Sequence, residues 1–191
     1  MHISTDRYFR DRQRHDLALR MIRHEARTCT IRSCTALTDD RIRRLCRSYS
    51  RQHAMVRRRR GKAPRQIAFF TRSVQMQFEA SFLSSLFAAF GLLRAASEIV
   101  TGEPSIEYGE LFCDAYETHL QLLQSARIGF EHAWFLLELL SRGGVLQMTR
   151  CRHCYSRYLR DGLNIARLAC PACELKADAL GQFAFKFEAG P

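Results

Sequence analysis

The feature that most limits what this chain can be is Cys151-Arg-His-Cys154, then fifteen residues, then Cys170-Pro-Ala-Cys173. Each Cys-x-x-Cys pair presents two thiolates from one tight loop, and fifteen residues suffice for a hairpin that brings the loops together. Four thiolates at about 2.3 Å complete a tetrahedral zinc ion. With every position filled, none remains for a catalytic water, so the expectation is one structural zinc per chain. It would replace a core that so short a segment cannot build. Competing readings of the spacing are chance, a redox dithiol or an iron–sulfur cluster. His153 sits between two ligands and reads as a surface residue. Arg150, Arg152, Arg157 and Arg160 surround the pairs, either to offset the negative charge of four thiolates or to contact phosphate.

Composition narrows the partner. Thirty Lys and Arg oppose nineteen Asp and Glu in 191 residues, a net charge of +11. Such a surplus calls for a polyanion: nucleic acid, an acidic protein or an anionic membrane surface. Most of the surplus is Arg, whose fork suits phosphate and guanine edges better than Lys, which favours nucleic acid. Hydrophobic residues make up 47%, enough for a packed core. The most apolar stretch, Phe82 to Ala96, is interrupted by Ser84, Ser85 and Arg94 and falls short of the ~20 residues of a membrane span. The first residues carry no apolar segment behind a basic start. A cytoplasmic protein with no membrane association is expected, in which eight cysteines do not form disulfides.

Periodicity makes the chain mainly α: a helical domain over 1–149, a zinc-binding module over 150–175 and a tail over 176–191. Tyr8 to Arg27 places Leu17, Met21, Ile22 and Ala26 at helical spacing. Thr38 reads as an N-cap with Asp39 and Asp40 behind it. Ile42, Leu45, Cys46 and Tyr49 form an apolar stripe, while Arg43, Arg44, Arg47 and Arg51 take the other face. A long helix is expected over roughly Arg72 to Val100, with Val74, Phe78, Phe82, Leu86, Phe87, Phe90 and Leu93 on one wide face. Two more fit Ser105 to Ser125 and Phe130 to Ser141, the last closed by Gly143-Gly144.

Other signals are weaker. Glu25 to Tyr49 has the helix, break and Arg-faced helix of a helix-turn-helix, or equally of a plain helical hairpin. Ala36 stands where such turns favour Gly, and Arg32 where a small residue is usual. The run Arg57, Arg58, Arg59, Arg60, Gly61, Lys62 is a solvated loop or a phosphate-tracking arm. Cys29, Cys34, Cys46 and Cys113 lack metal spacing; Cys46 and Cys113 read as inert core residues, and His119 and His132 as helix-face histidines. No nucleophile elbow, phosphate-cradling Gly loop or carboxylate pair is present, so neither an enzyme nor a small-molecule substrate is expected. The candidate DNA contacts are Arg43, Arg44, Arg47, Arg57, Arg58, Arg59, Arg60, Lys62, Arg150, Arg152, Arg157 and Arg160.

Taken in order, the pieces resemble the FlhC family, the zinc-containing subunit of the bacterial flagellar master transcription regulator. The likeness runs from about Asp16 to Glu174. It rests on Leu37-Thr38 opening the Arg-faced helix, Gly61-Lys62-Ala63-Pro64 leading to Phe69-Phe70, and Glu79-Ala80-Ser81-Phe82. It continues through Trp134-Phe135-Leu136 and Gly143-Gly144-Val145-Leu146-Gln147 just before Cys151. The resemblance implies a helical fold with a four-cysteine zinc site on Cys151, Cys154, Cys170 and Cys173. It also implies a hetero-hexamer with an FlhD-type partner that binds duplex DNA and recruits RNA polymerase to flagellar and other promoters. The loop between Tyr49 and Gly61 is longer and more basic than that pattern, and Glu174 to Pro191 holds only Lys176 and Lys186. The alternatives are a zinc-stabilised protein–protein adapter and an RNA-binding protein.

Overall fold

The computed structural model describes residues 2–52, 61–93, 105–163 and 169–177, with the side chains of 2–6 and 52 left aside. Helix α1 spans His2–Arg23, α2 Thr28–Thr35, α3 Asp39–Gln52, α4 Val74–Ala89, α5 Ile106–Leu122 and α6 Phe130–Arg142. A single 3-10 turn, Ile67–Phe70, precedes α4. A two-stranded antiparallel hairpin follows α6, with β1 at Leu146–Arg150 and β2 at Arg157–Asp161. Residues 171–177 are again helical. The mainly helical class expected from periodicity is what the chain adopts, with the four-cysteine segment at its C-terminal end.

The helix ends have local causes. Helix α1 stops before the expected Arg27 because Glu25 takes the left-handed conformation (φ 58°), and the amide of Ala26 returns to the carbonyl of Met21. The long helix expected from Arg72 to Val100 is likewise shorter. Gly91 (φ 74°) breaks it: its amide bonds to the Ala88 carbonyl, the Leu92 amide to that of Phe87, and Leu92 and Phe87 are both buried. This pairing of back-bonds with an apolar contact is the common left-handed helix stop. Residues 94–100 of the expected span lie outside the described residues. The buried face of α4 also differs from the expected Phe-rich one. Met76, Gln77, Ala80, Leu83, Ser84 and Phe87 face inward, whereas Phe78, Phe82 and Phe90 are half-buried. Polar side chains turn inward there because each finds a partner: Ser81 and Ser84 donate to the carbonyls of Gln77 and Ala80.

One core joins the helices. Leu17, Met21, Ile31, Ile42, Phe87, Phe112 and Leu136 are fully buried in it, and Leu146 and Leu159 of the hairpin belong to the same cluster. Gly109 of α5 lets three helices meet. A Cβ there would lie 2.8 Å from the Leu17 side chain on α1 and 2.9 Å from that of Cys34 on α2. Around the core, Arg20 on α1 grips Glu110, Asp114 and Glu117, a ridge along α5, at 2.6–2.9 Å. Helix α2 has no capping side chain of its own. Glu131 of α6 supplies the acceptor, taking the Arg27 amide at 2.7 Å and the Thr30 hydroxyl at 3.2 Å. Glu79 of α4 likewise takes the Arg127 and Ile128 amides, both at 2.7 Å, and lies 3.1 Å from His119.

Candidate metal centre

The centre is built at the turn of the hairpin. Strand β1 ends at Arg150, residues 151–156 form the turn, and β2 begins at Arg157 opposite Arg150. The hairpin therefore wraps the first cysteine pair, where the sequence reading placed it between the two pairs. The tip is closed by the Cys151 amide bonding to the Ser156 carbonyl (2.9 Å) and the Tyr155 amide to the Cys151 carbonyl (3.1 Å). The second pair opens the helical turn of residues 171–177. Pro171 occupies its first position, where a missing N–H costs nothing. The Cys170 carbonyl takes the Glu174 amide at 3.1 Å.

Folding brings the four sulfurs together. All lie within 4.8 Å of one another, with Cys151 to Cys173 at 3.9 Å and Cys154 to Cys170 at 3.4 Å. Ligands around a tetrahedral zinc at about 2.3 Å stand about 3.8 Å apart, so the four sulfurs are gathered to within about an ångström of what such an ion needs. Backbone amides point at the sulfurs: His153 and Cys170 donate to Cys151 Sγ, and Cys173 donates to Cys170 Sγ, each at 3.4 Å. Burial raises the cost of a Cys151 thiolate. The surrounding amides outweigh it and bring that thiol down to about 6. Cys154 is also lowered, chiefly by Ser156. Burial raises Cys170, and its sulfur neighbours push Cys173 up to about 12. Two of the four thiols are thus shifted toward the thiolate form, and a dication is what would bring all four to that state. Four soft donors in a tetrahedron suit zinc or an iron–sulfur cluster and leave no open coordination position.

Cys151 and Cys170 are 1% exposed and share a small second cluster with Tyr158. Cys34, Cys46 and Cys113 are buried in the helical body, and Cys29 is exposed. Desolvation raises the Cys34 thiol to about 12 and Cys113 beyond the usual range, which suits inert core residues. His132 stacks on Phe69 at 4.0 Å. His119 is fully buried and was not foreseen as the partner of Glu79.

The basic candidates divide by place. Thr38 caps α3 as expected, its hydroxyl accepting from the Arg41 amide at 3.4 Å. Ile42 and Cys46 are buried while Arg43, Arg44 and Arg47 face solvent. Arg43 is tied to Asp40 at 3.1 Å, so its charge is already partly met. A turn of residues 36–38 joins α2 to α3, and Ala36 adopts the left-handed conformation (φ 54°) that the missing Gly would have taken. Arg57, Arg58, Arg59 and Arg60 lie outside the described residues; Lys62 is exposed. Arg150, Arg152 and Arg157 are exposed around the hairpin tip and Arg160 is half-buried. Among the described residues, no helix is long and apolar enough to cross a membrane.

The family described as flagellar transcriptional activator (FlhC) matches residues 4–183. No curated protein matches the chain at a significant level.

Proposed function

This chain belongs to the FlhC family of flagellar transcriptional activators, and from that premise we propose that it is the DNA-binding subunit of such an activator. It would act in the cytoplasm with an FlhD-type partner, as a hetero-hexamer that recruits RNA polymerase to flagellar and related promoters. One zinc ion on Cys151, Cys154, Cys170 and Cys173 would hold the hairpin tip. The observation that carries the reading is the pairing of a four-thiol cluster with exposed guanidinium groups on one tip, in a chain of net charge +11. Arg44 and Arg47, exposed on α3, add further basic groups, and the sequence adds the Arg57 to Lys62 run. Phosphate neutralisation by such groups releases counterions and drives duplex binding.

Co-expression with the FlhD-type protein of the same source, followed by mass determination of the purified complex, tests the assembly. The expected result is a defined hetero-oligomer that binds duplex DNA with a steep salt dependence. A monodisperse monomer that ignores the partner, or one that binds no duplex below about 0.2 M salt, would overturn the reading and favour the adapter role.

A further inference from the structure

Tyr155 follows Cys154 directly and is 76% exposed, although Tyr158, three residues on, is buried at 3%. It is one of only three non-glycine residues with positive φ among the described residues, at 59°. That conformation is sterically costly for any side chain, and glycine or asparagine is the usual occupant. Two backbone hydrogen bonds hold the turn in this form. The Tyr155 amide is bonded to the Cys151 carbonyl, and its neighbours Cys151 and Ser156 close the tip. A large ring is thus presented to water from a strained backbone, where glycine would fit better.

Its surroundings say what the ring meets. Arg150 and Arg157 stand directly opposite each other across the two strands, and both are exposed, as is Arg152. Like charges in register repel; the four thiols beside them, once ionised, meet part of that charge, and an anion on the solvent side would meet the rest. The strands themselves pack on the helical body through Leu146 and Leu159, so what the ribbon can present to the major groove of duplex DNA is its tip. There, guanidinium groups on phosphates set position, and contacts to base edges carry sequence information.

We infer that Tyr155 is the sequence-reading contact of the hairpin tip, its ring lying against base edges in a groove of duplex DNA while Arg150, Arg152 and Arg157 hold the flanking phosphates. This rests on the proposed DNA-binding function and adds to it a residue and a role. The ring offers an apolar face to a thymine methyl group, and with only two side-chain torsions it loses little freedom on contact.

The test uses the full chain in complex with its FlhD-type partner. Sites are first selected by the unaltered complex from a random-sequence duplex library. Affinities for the selected site, for random duplex and for the matching single strands are then measured for the unaltered protein, Tyr155→Gly and Tyr155→Phe. Tyr155→Gly is expected to keep its metal and to match or exceed the unaltered thermal midpoint, because it removes the strain. Its preference for the selected site should fall roughly ten-fold, with the slope of log affinity against log salt unchanged. Tyr155→Phe should keep most of the preference. A Tyr155→Gly complex with undiminished preference would overturn the inference, as would loss of metal from it, which would make Tyr155 a structural residue. Stronger binding of single strands than of duplex would also overturn it, pointing to stacking on unpaired bases. Failure of the unaltered complex to bind duplex at all would show, before any substitution, that the DNA-binding reading itself is wrong, and the inference falls with it.

Discussion

The side-chain amide of Gln77 on α4 donates to the main-chain carbonyl of Leu159 on β2 at 2.8 Å, and one helical turn further on the Ser81 hydroxyl accepts the amide of the same residue at 2.9 Å. Both side chains are buried. The edge of β2 not paired to β1 is therefore satisfied by a helix, and the strand carrying one flank of the metal centre is fastened to the helical body. Removing one partner of a buried hydrogen bond costs about 1–3 kcal/mol. Gln77→Leu is expected to lower stability by that amount and to speed metal loss to a chelator, although Gln77 is not among the clustered thiols. Unchanged chelation kinetics in a destabilised variant would show that the hairpin holds its metal independently.

Metal content follows from the thiol cluster. The purified protein should carry about one zinc per chain. Cys151→Ser or Cys173→Ser should lose it and leave the segment beyond Gly144 open to protease, because binding energy there is folding energy. Full protease resistance without metal would argue against a structural role, and the absorbance of an iron–sulfur cluster would replace zinc.

Acid should loosen the helical body at two places. The Arg20 guanidinium first, with His24 assisting against the cost of burial, holds the Glu117 carboxyl down to about 2. Burial would raise Glu79, but His119 and the Ile128 and Arg127 amides leave it lowered. Both carboxyls bind a proton more weakly folded than unfolded, so as pH falls the unfolded state takes up protons first. The stability they supply is complete above about pH 5 and is lost as pH falls through the lowered values, for Glu117 down to about 2. Denaturation midpoints measured across that window should show a shallower acid limb for Glu117→Gln than for the unaltered chain. An identical limb would assign acid sensitivity to other groups.

Two basic regions should behave differently on DNA. Replacing Arg58 and Arg59 by Ala should weaken binding to all sequences alike and flatten the log–log salt slope by up to about two units. Replacing Arg47, which is exposed on α3, should cost about 1–3 kcal/mol on the preferred site and blur the preference if that helix reads base edges. Arg43 should matter less than Arg47, because Asp40 already pairs with it. Equal losses on selected and random duplex would reduce α3 to a phosphate clamp.

What the sequence disclosed depended on how local each signal was. The cysteine spacing and the Thr38 cap act within a few residues, and the structure places them as the spacing implies. The stripe of Ile42, Leu45, Cys46 and Tyr49 packs inward for the same reason. The end of α4 was legible in principle, since Gly91 sits inside the helical pattern, but the apolar residues beyond it carried the period onward and masked the stop. Buried polar groups were not legible. Gln77, Glu79 and Glu131 look like surface residues until partners 82, 49 and 104 positions away are known. Tyr155 left a trace, an aromatic immediately after a cysteine pair amid arginines, but its left-handed backbone is visible only in three dimensions.

The fastening of β2 to α4 also sets an order of assembly. During synthesis α4 leaves the ribosome some eighty residues before its hydrogen-bonding partner on β2, so Gln77 and Ser81 wait, solvated by water, until the hairpin arrives. The entropic cost of closing so long a loop grows only logarithmically with its length. The step therefore waits on the synthesis of β2 itself more than on the length of the loop that must close. Until residue 159 is made, a nascent chain holds an α4 whose inward face still carries two polar groups without their partner from β2.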